Sequence, residues 1–453
     1  MNTDNHSHKI GQYFIIFGFW MLLIALLAGI LSAHIYLFPN FLKDLGGLMI
    51  LRPIHVSTAV FWIISVAVGA VYCGLESCIL SSINKKRGFI HLFLWIIGIL
   101  GILYAYSQKD LGGREYWEFN PIWSIPLFLA WVLFLLNFIQ KVRSLLNKPV
   151  YIWMWFTGIV FFLFTFLENY LWLFPYFREH LATDITIQWK ANGSLVGAWN
   201  QLIYGTSFFL MGKISGDRKF AYKPIVFIMY FLGLFNLMFN WGHHIYPIPT
   251  ESYIKYIGYT VSMTEWIFFI RIINSWKTTL KQIRKYHHII SYKFLIASEF
   301  WIFINMGQAI LMSIPILNLY THGTHITVAH AMGTTIGINT MILLAACIEF
   351  LTHPNWLQNY KKIINITFWF IQINLGIFWL SLNVAGIFKG IWQVNSLNPI
   401  SFSKMMENLS PWFIIFTYSG ILLSIGLIVM VLIIFIIHYT FQDRSGNLDG
   451  RKS

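Results

Sequence analysis

Charged residues are scarce in this sequence of 453 residues. Charged side chains make up only 11% of it, whereas hydrophobic residues make up 57% and aromatic residues 18%, and the mean hydropathy is +0.64. Soluble globular proteins carry about 25% charged residues. The composition therefore excludes an ordinary soluble protein and predicts an integral membrane protein.

Signals of several other protein classes are also missing. The three cysteines, Cys73, Cys78 and Cys347, form neither a CxxCH motif for covalent haem attachment nor a zinc-binding spacing. There is no glycine-rich phosphate loop and no linker that would divide the chain, and the polar start MNTDNHSHK leads into an apolar segment too long for a secretory signal. We therefore expect one membrane domain over residues 1–453, ending in a polar cytoplasmic tail at 440–453.

Long apolar runs fill most of the chain. A membrane-spanning helix needs about 20 mainly apolar residues, and the loops between the runs are short. The sequence predicts an all-α bundle of twelve transmembrane helices, at about 11–37, 49–79, 89–106, 122–140, 151–175, 194–212, 222–246, 253–275, 291–316, 323–351, 363–388 and 411–439.

The distribution of positive charge predicts the orientation. Most of the 31 Lys and Arg residues, such as Lys85, Lys86 and Lys281, fall on the side of the two termini, and the minority, such as Lys43 and Lys190, fall on the other side. Because cytoplasmic loops carry the excess of positive charge, both termini are predicted to be cytoplasmic. The same loops account for the net charge of +14 without a nucleic-acid partner.

Histidines gather at one level of the predicted bundle. Six remain when the histidines of the tail, the loops and the lone span ends are set aside: His55, His243, His244, His322, His325 and His330. Four of these, His55, His243, His244 and His330, lie in the outer half of the membrane. Neutral imidazole suits iron, copper and zinc, so this grouping indicates a transition-metal or haem site. Three further histidines lie alone near span ends and are expected to be packing or interfacial residues: His34, His91 and His438.

The run AHAMG places His330 and Met332 on opposite sides of one helix, because two residues turn a helix by about 200°. Both side chains ligate haem iron in proteins. One helix can therefore hold a haem on each side, and His55 can supply the second axial ligand of one of them. The alternative is that Met332 is a core packing residue.

The adjacent pair His243 and His244 ends span 7 and is followed by Pro247 and Pro249. Either one imidazole packs while the other caps the helix end, or both bind one metal because the last turn distorts where the prolines stop the helix. Glu265, in the run SMTEWIFF, lies within span 8 without an obvious cation. A buried carboxylate there is expected to be a metal ligand or a proton carrier.

Five stretches, in this order, carry a resemblance to a known family: RPIHVST, GGREYWEF, GHH, SMTE and YTHGTHITVAHAMG. Over nearly its whole length the chain resembles the large catalytic subunit of the haem–copper oxidase superfamily, and most closely its nitric oxide reductase branch. The resemblance implies the twelve-helix fold of that superfamily. It also implies a low-spin haem b, a high-spin haem b, and a non-haem metal that is iron in the reductases and copper in the oxidases.

The resemblance assigns a role to each matching residue. His55 matches a ligand of the low-spin haem, and His330 matches the proximal ligand of the high-spin haem. His243 and His244 match two of the three histidines on the non-haem metal, with Glu265 beside it. Glu115, and less closely Glu118, match a calcium site near the haem propionates.

Three departures from the family pattern change these expectations. Met332 stands where the family has the second histidine of a His-x-His pair, and a Met ligand would raise the haem potential. Asn192 stands where span 6 should supply the third metal histidine, either as an oxygen ligand that favours iron or as a helix N-cap. Val196 and Asn200 stand where the reductases carry two glutamates.

Taken together, the resemblance implies an oxidoreductase of the bacterial inner membrane that reduces two NO to nitrous oxide. In oxidases of this superfamily a tyrosine stands at one of two positions, depending on the branch. Those positions here hold Val196 and Leu237, which argues against oxygen reduction. The alternatives are another chemistry of the superfamily, as a terminal oxidase or NO dismutase, or a non-catalytic haem-binding sensor or assembly protein. The electron donor is expected to be a subunit with cytochrome c or a copper centre, or quinol.

Overall fold

The computed structural model describes residues 9–79, 83–217, 219–264, 288–395 and 400–449. Within these residues it is a bundle of long helices with one two-stranded hairpin. Glu265, and with it the second half of predicted span 8, lies outside the described residues.

The helices are numbered here in chain order over the described residues. They are α1 (Lys9–Leu37), α2 (Leu48–Cys78), α3 (Lys85–Ser107), α4 (Ser124–Val142), α5 (Val150–Glu168), α6 (Pro175–Arg178), α7 (Leu181–Ser215), α8 (Pro224–Phe239), α9 (Ser252–Met263), α10 (Ile289–Ser313), α11 (Pro315–Thr321), α12 (His325–Met332), α13 (Met341–Leu351), α14 (Pro354–Val394), α15 (Phe402–Asn408) and α16 (Ser410–Asp449). Two other helical segments matter for the site: a 3₁₀ helix at Asn240–Ile245 and a π-helix at Gly333–Thr340.

The predicted spans match the helices closely. Within the described residues, ten helical segments are long and apolar enough to cross a membrane. Helix α7 covers predicted span 6 but is not among these ten, because polar residues recur along its whole length. In the described residues, α9 covers the start of span 8. The protein is thus a multi-pass helical membrane bundle, while the total of twelve spans and the side of the termini remain predictions.

A continuous apolar core holds the helices together. The described core runs through α1, α2, α3, α4, α5, α7, α10, α13, α14 and α16 and is rich in aromatic residues. Phe19 of α1 stacks on Trp62 of α2 at 5.5 Å between ring centroids, and Trp131 of α4 stacks on Phe162 of α5 at 3.8 Å. Because offset stacking adds to the burial of apolar area, these rings fix the positions of the helices that carry polar residues.

The hairpin marks one end of the bundle. Strands β1 (Leu111–Arg114) and β2 (Trp117–Phe119) pair antiparallel, and Tyr116 in the turn has a positive φ of 70°. Arg114 forms an ion pair with Asp184 of α7 at 2.7 Å. We call this end, with the starts of α2 and α7, the hairpin end. The sequence predicts that it faces outward.

A buried carboxylate marks the other end. Glu349, near the end of α13, accepts hydrogen bonds from His288 at 2.8 Å and Ser291 at 2.7 Å, and its second oxygen lies 3.1 Å from Lys213 Nζ. These contacts tie together α13, the start of α10 and the end of α7. We call this region the Glu349 end.

Candidate metal and haem site

The paired histidines lie on a tightened last turn at the hairpin end. The helix that carries them ends as the 3₁₀ segment Asn240–Ile245, which agrees with the predicted distortion of this turn. A Cβ on Gly242 would lie 2.9 Å from the Cα of Gly258, so α9 can approach this turn only because both residues are glycine. The rings of His243 and His244 are 4.2 Å apart at 41°. The two imidazoles therefore belong to one site.

A hydroxyl on α9 orients His243. Ser262 donates its hydroxyl hydrogen to the Gly258 carbonyl at 2.8 Å, so its oxygen is available to accept a hydrogen bond from His243 Nδ1 at 3.3 Å. In that tautomer Nε2 carries the lone pair. Histidines that ligate metals usually donate their other N–H in this way, and the role of His243 as a metal ligand stays a prediction.

His244 is surrounded by aromatic and imidazole rings. The indole of Trp189, on α7, stacks on it with ring centroids 4.8 Å apart and planes only 5° from parallel. His243, His322 and His330 all lie within electrostatic range of His244. The structure thus places the histidine pair from span 7 in the same part of the bundle as the proposed haem ligand from span 10.

Trp189 and His322 were not predicted as site residues. His322 lies between α11 and α12, its ring is 6.5 Å from Trp189, and burial lowers its pKa. The sequence signal for His322 was its place in the group of six histidines. Trp189 had no signal beyond its position three residues before Asn192.

Asn192 lies in the middle of a helix rather than at its start. Helix α7 begins at Leu181 with His180 as its N-cap, so the N-cap interpretation of Asn192 is wrong. Its side chain is only 3% exposed, and its Nδ2 donates to the Glu115 carbonyl at 3.4 Å. Its Oδ1 is buried and has no hydrogen-bond partner among the described residues. The amide oxygen is therefore available as a ligand, one helical turn after the indole that stacks on His244.

His330 is held through its backbone by α10. Asn305 Nδ2 donates to the His330 carbonyl at 3.1 Å and to Thr334 Oγ1 at 2.6 Å. His330 Nδ1 is buried without a partner in the part of the chain that the structure describes. Helix α12 ends at Met332 and the π-helix begins at Gly333. Short π-helical segments are frequent at functional sites, and this one was not predicted.

The imidazole of His55 is oriented by α1. Its Nδ1 lies 2.8 Å from the carbonyl of Ala25, which makes Nδ1 the N–H donor and leaves the lone pair on Nε2. A Cβ on Gly29 would lie 2.8 Å from Cε1 and 2.9 Å from Nδ1 of the ring. Gly29 therefore provides the space in which the imidazole lies. Met332 packs against the main core, so its ligation of haem stays a prediction.

The two carboxylates that are predicted to bind calcium both contact the guanidinium of one arginine. Arg52 forms ion pairs with Glu115, at 2.7 Å, and with Glu118. Burial raises the pKa of Glu118, although Arg52 opposes that rise, and Glu118 Oε2 has no partner among the described residues. Two carboxylates and one guanidinium leave one negative charge. Calcium binding at Glu115 stays a prediction, with Arg52 as a neighbour that the sequence did not indicate.

Three other histidines agree with the packing interpretation. Nδ1 of His34 lies 2.8 Å from the Ile30 carbonyl, that of His91 lies 2.9 Å from the Tyr72 hydroxyl, and that of His438 lies 2.8 Å from the Leu351 carbonyl. Each of these imidazoles therefore has a hydrogen-bond partner on its own or a neighbouring helix.

The residues at the centre fit a haem and metal site in part. Two imidazoles present Nε2 as the acceptor, and two buried polar atoms, on Asn192 and His330, have no described partner. Over the described ranges, however, no three His, Cys, Asp or Glu side chains are grouped so that they could hold a metal ion. Glu265, the predicted carboxylate of the centre, lies outside those ranges.

Comparisons with known proteins show the family of this chain. Residues 9–422 match the family model described as cytochrome c and quinol oxidase polypeptide I. A nitric oxide reductase subunit of Stutzerimonas stutzeri is 22% identical over 468 residues, covering 97% of this chain and 95% of the relative. The cbb3-type cytochrome c oxidase subunit CcoN1 of the same organism is 21% identical over 404 residues, covering 84% of each chain.

The fold gives the same result. A heme-copper terminal oxidase dimer solved by cryo-EM contains a chain that superposes with a TM-score of 0.75 at 15% identity, covering 96% of this chain and 84% of the other. The family model spans most of the sequence, including every described histidine that is assigned to haem or metal. The chain therefore belongs to the family of the cytochrome c and quinol oxidase polypeptide I.

Proposed function

We propose that this oxidoreductase is the catalytic subunit of a nitric oxide reductase, which reduces two NO to nitrous oxide and water. The observation that carries the proposal is the grouping of His243, His244 and His330 at the hairpin end, beside Asn192 of α7. An amide oxygen in place of a third imidazole favours iron over copper as the non-haem metal. The match to a nitric oxide reductase subunit over nearly the whole chain supports the same choice.

Each residue of the centre has a distinct task. His243 and His244 would hold the non-haem iron, with Glu265 and Asn192 Oδ1 as oxygen ligands. Ser262 fixes the tautomer of His243, and the stacked indole of Trp189 fixes the ring plane of His244. A bound iron would supply a Lewis acid that can stabilise negative charge on the substrate.

Electron transfer to this centre requires two haem-binding positions. His55 and Met332 would hold the low-spin haem b, and His330 the high-spin haem b. The sequence carries no covalent haem motif of its own, so the electrons would come from a partner protein with cytochrome c or copper, or from quinol.

Oxygen reduction is the second candidate, because several relatives are cytochrome c oxidase subunits. The packing around α7 weighs against it. Leu237 is buried, and a Cβ on Gly197 would lie 2.3 Å from its Cγ. At this position and at Val196, the chain has aliphatic groups where oxidases place a redox-active phenol. NO dismutation would be recognised by its products, nitrogen and oxygen.

Anaerobic turnover tests the proposal. The purified protein, supplied with a chemical electron donor, should consume NO and release one nitrous oxide for every two NO. The variant His244→Ala should lose this activity while it retains both haems, because His244 is proposed as a ligand of the non-haem metal and of neither haem. Metal analysis should find one non-haem iron in the wild type and less in the variant.

His34→Ala is the matched control, because among the described residues this imidazole hydrogen-bonds to Ile30 of its own helix and lies far from the proposed ligands of the non-haem metal in sequence. It should keep full activity and full iron content. Activity that survives in His244→Ala would contradict the metal assignment. A wild type that reduces oxygen but leaves NO unchanged would refute the choice of substrate.

A further inference from the structure

Glu299 is a carboxyl group within a membrane-spanning helix that none of the assignments above uses. Helix α10 is long and apolar enough to cross the membrane. Glu299 lies ten residues after its first residue, about 15 Å from the Glu349 end at helical rise. An ionisable residue at such a depth is costly unless it has a partner or a function.

No described cation neutralises this carboxyl group. Its Oε2 is buried and has no hydrogen-bond partner among the described residues. The nearest cation on the same helix, Lys293, donates to Asn365 on α14 at 2.8 Å and lies over the Phe368 ring at 4.8 Å. The neighbouring Ser298 donates its hydroxyl to the Leu295 carbonyl. Since an unpaired buried carboxylate is disfavoured, Glu299 is stable in the form that holds a proton.

Polar groups connect Glu299 with the Glu349 end. Tyr292 lies seven residues earlier, which is two helical turns and about 10 Å along the same face of α10, so the two groups are within electrostatic range and a proton passing between them would need ordered water. The residue before it, Ser291, donates to Glu349, which also contacts His288 and Lys213. Protonatable groups thus follow one helix from the bundle end to the membrane interior.

The same helix continues to the proposed haem ligand. Asn305, six residues after Glu299, holds the carbonyl of His330, and its Oδ1 is buried with no partner in the described chain. A Cβ on Gly333 would lie 2.3 Å from that Oδ1, so the space beside it is closed to larger side chains. The step from Glu299 to Asn305 is about 9 Å along the helix and would need ordered water.

We propose that Glu299 is a proton-holding site, which takes up protons from the Glu349 end through Tyr292 and releases them toward the centre at His330. In each step the carboxyl group gives up one proton to become a carboxylate, and it is restored by one proton from the Glu349 end. The proposal rests on the proposed function only for the reaction that consumes the protons, since reduction of two NO takes up two protons. Among the described residues, Tyr292 is the titratable neighbour that interacts with Glu299.

Infrared difference spectroscopy tests the protonation independently of turnover. The reduced-minus-oxidised spectrum of the purified protein should contain a carboxylic-acid C=O band that shifts in D₂O. Glu299→Gln should lose this band while it keeps the optical spectra of the haems. Glu407→Gln is the matched control, because Glu407 is an exposed carboxylate paired with Lys404. A band that persists in Glu299→Gln would overturn the proposal.

Proton uptake in vesicles tests the route. Proton uptake is measured during anaerobic NO consumption, or during oxygen consumption if NO is not the substrate. Glu299→Gln should slow proton uptake from the Glu349 side at least about tenfold, because loss of a proton donor costs about 10²–10⁴-fold in rate. Glu299→Asp should restore part of this rate. Tyr292→Phe keeps the carboxyl group, so it should slow proton uptake while the infrared band remains. This variant tests the route even if Glu299→Gln fails to fold. Unchanged uptake in both Glu299→Gln and Tyr292→Phe would refute the route. A wild type with the band but without NO reduction would refute only the proposed function.

Discussion

Replacement of Gly29 by alanine should release the haem that His55 is proposed to hold. The added Cβ would lie 2.8 and 2.9 Å from two atoms of the imidazole, closer than van der Waals contact allows. The ring must swing away, which breaks its contact with the Ala25 carbonyl. Overpacking costs about 1–3 kcal/mol, and the lost hydrogen bond costs about 1 kcal/mol.

Alanine also favours the helix over glycine by about 1 kcal/mol, so the protein should still fold, with a net destabilisation of about 1–3 kcal/mol when these central values are combined. Loss of an orienting contact at a ligand lowers affinity by about 10–100-fold. We expect the low-spin haem content to fall accordingly, while the high-spin haem on His330 remains. Haem extraction and the absorption spectrum of the reduced protein measure both.

Gly376→Ala is the matched control for this prediction. Gly376 also lies within a long membrane helix, α14, but a Cβ there would meet no atom of the described residues within 4 Å beyond its own helical backbone. It should keep both haems and fold at least as stably as the wild type. If Gly29→Ala binds low-spin haem as the wild type does, with the same spectrum, His55 is not its ligand.

Three further substitutions test the centre. Ser262→Ala removes the oxygen that orients His243, and metal analysis after dialysis against a chelator should show about tenfold weaker iron retention; equal retention would contradict this role. Trp189→Leu removes the ring stacked on His244 and should change the electron paramagnetic resonance of the non-haem iron at normal haem content; an identical signal would show that the stack does not position the ligand. Met332→Leu should convert the low-spin haem to a species without its sulfur ligand; an unchanged spectrum would favour core packing.

Most of the fold could be predicted from the sequence. Apolar runs long enough to cross a bilayer are a local property, and the described helices follow them within a few residues in most cases. The larger errors concern α7, which begins at Leu181 rather than near 194, and α14, which extends over Pro354–Val394 rather than 363–388. Both helices continue through polar residues, because helical hydrogen bonding does not end where hydropathy falls.

The composition of the site was also visible in the sequence, whereas its contacts were not. The positions of His55, His243, His244 and His330 near one end of the bundle follow from counting residues along alternating spans. Whether each imidazole donates through Nδ1 depends on groups from other helices, such as Ala25 of α1 for His55. A one-dimensional pattern cannot place such a group within hydrogen-bond distance.

The sequence by itself determined that this is a helical membrane protein with a haem or transition-metal site, because its apolar runs are long enough to cross a bilayer and imidazole ligates such metals. The haem–copper type followed from the resemblance of its histidine motifs to those of that family. The tertiary structure alone decided which polar neighbours those histidines have. In the folded chain the indole of Trp189 stacks on His244, Asn192 lies buried within a helix rather than at its start, and Arg52 forms an ion pair with Glu115. These pairings join residues far apart in the chain, so they depend on how the helices pack.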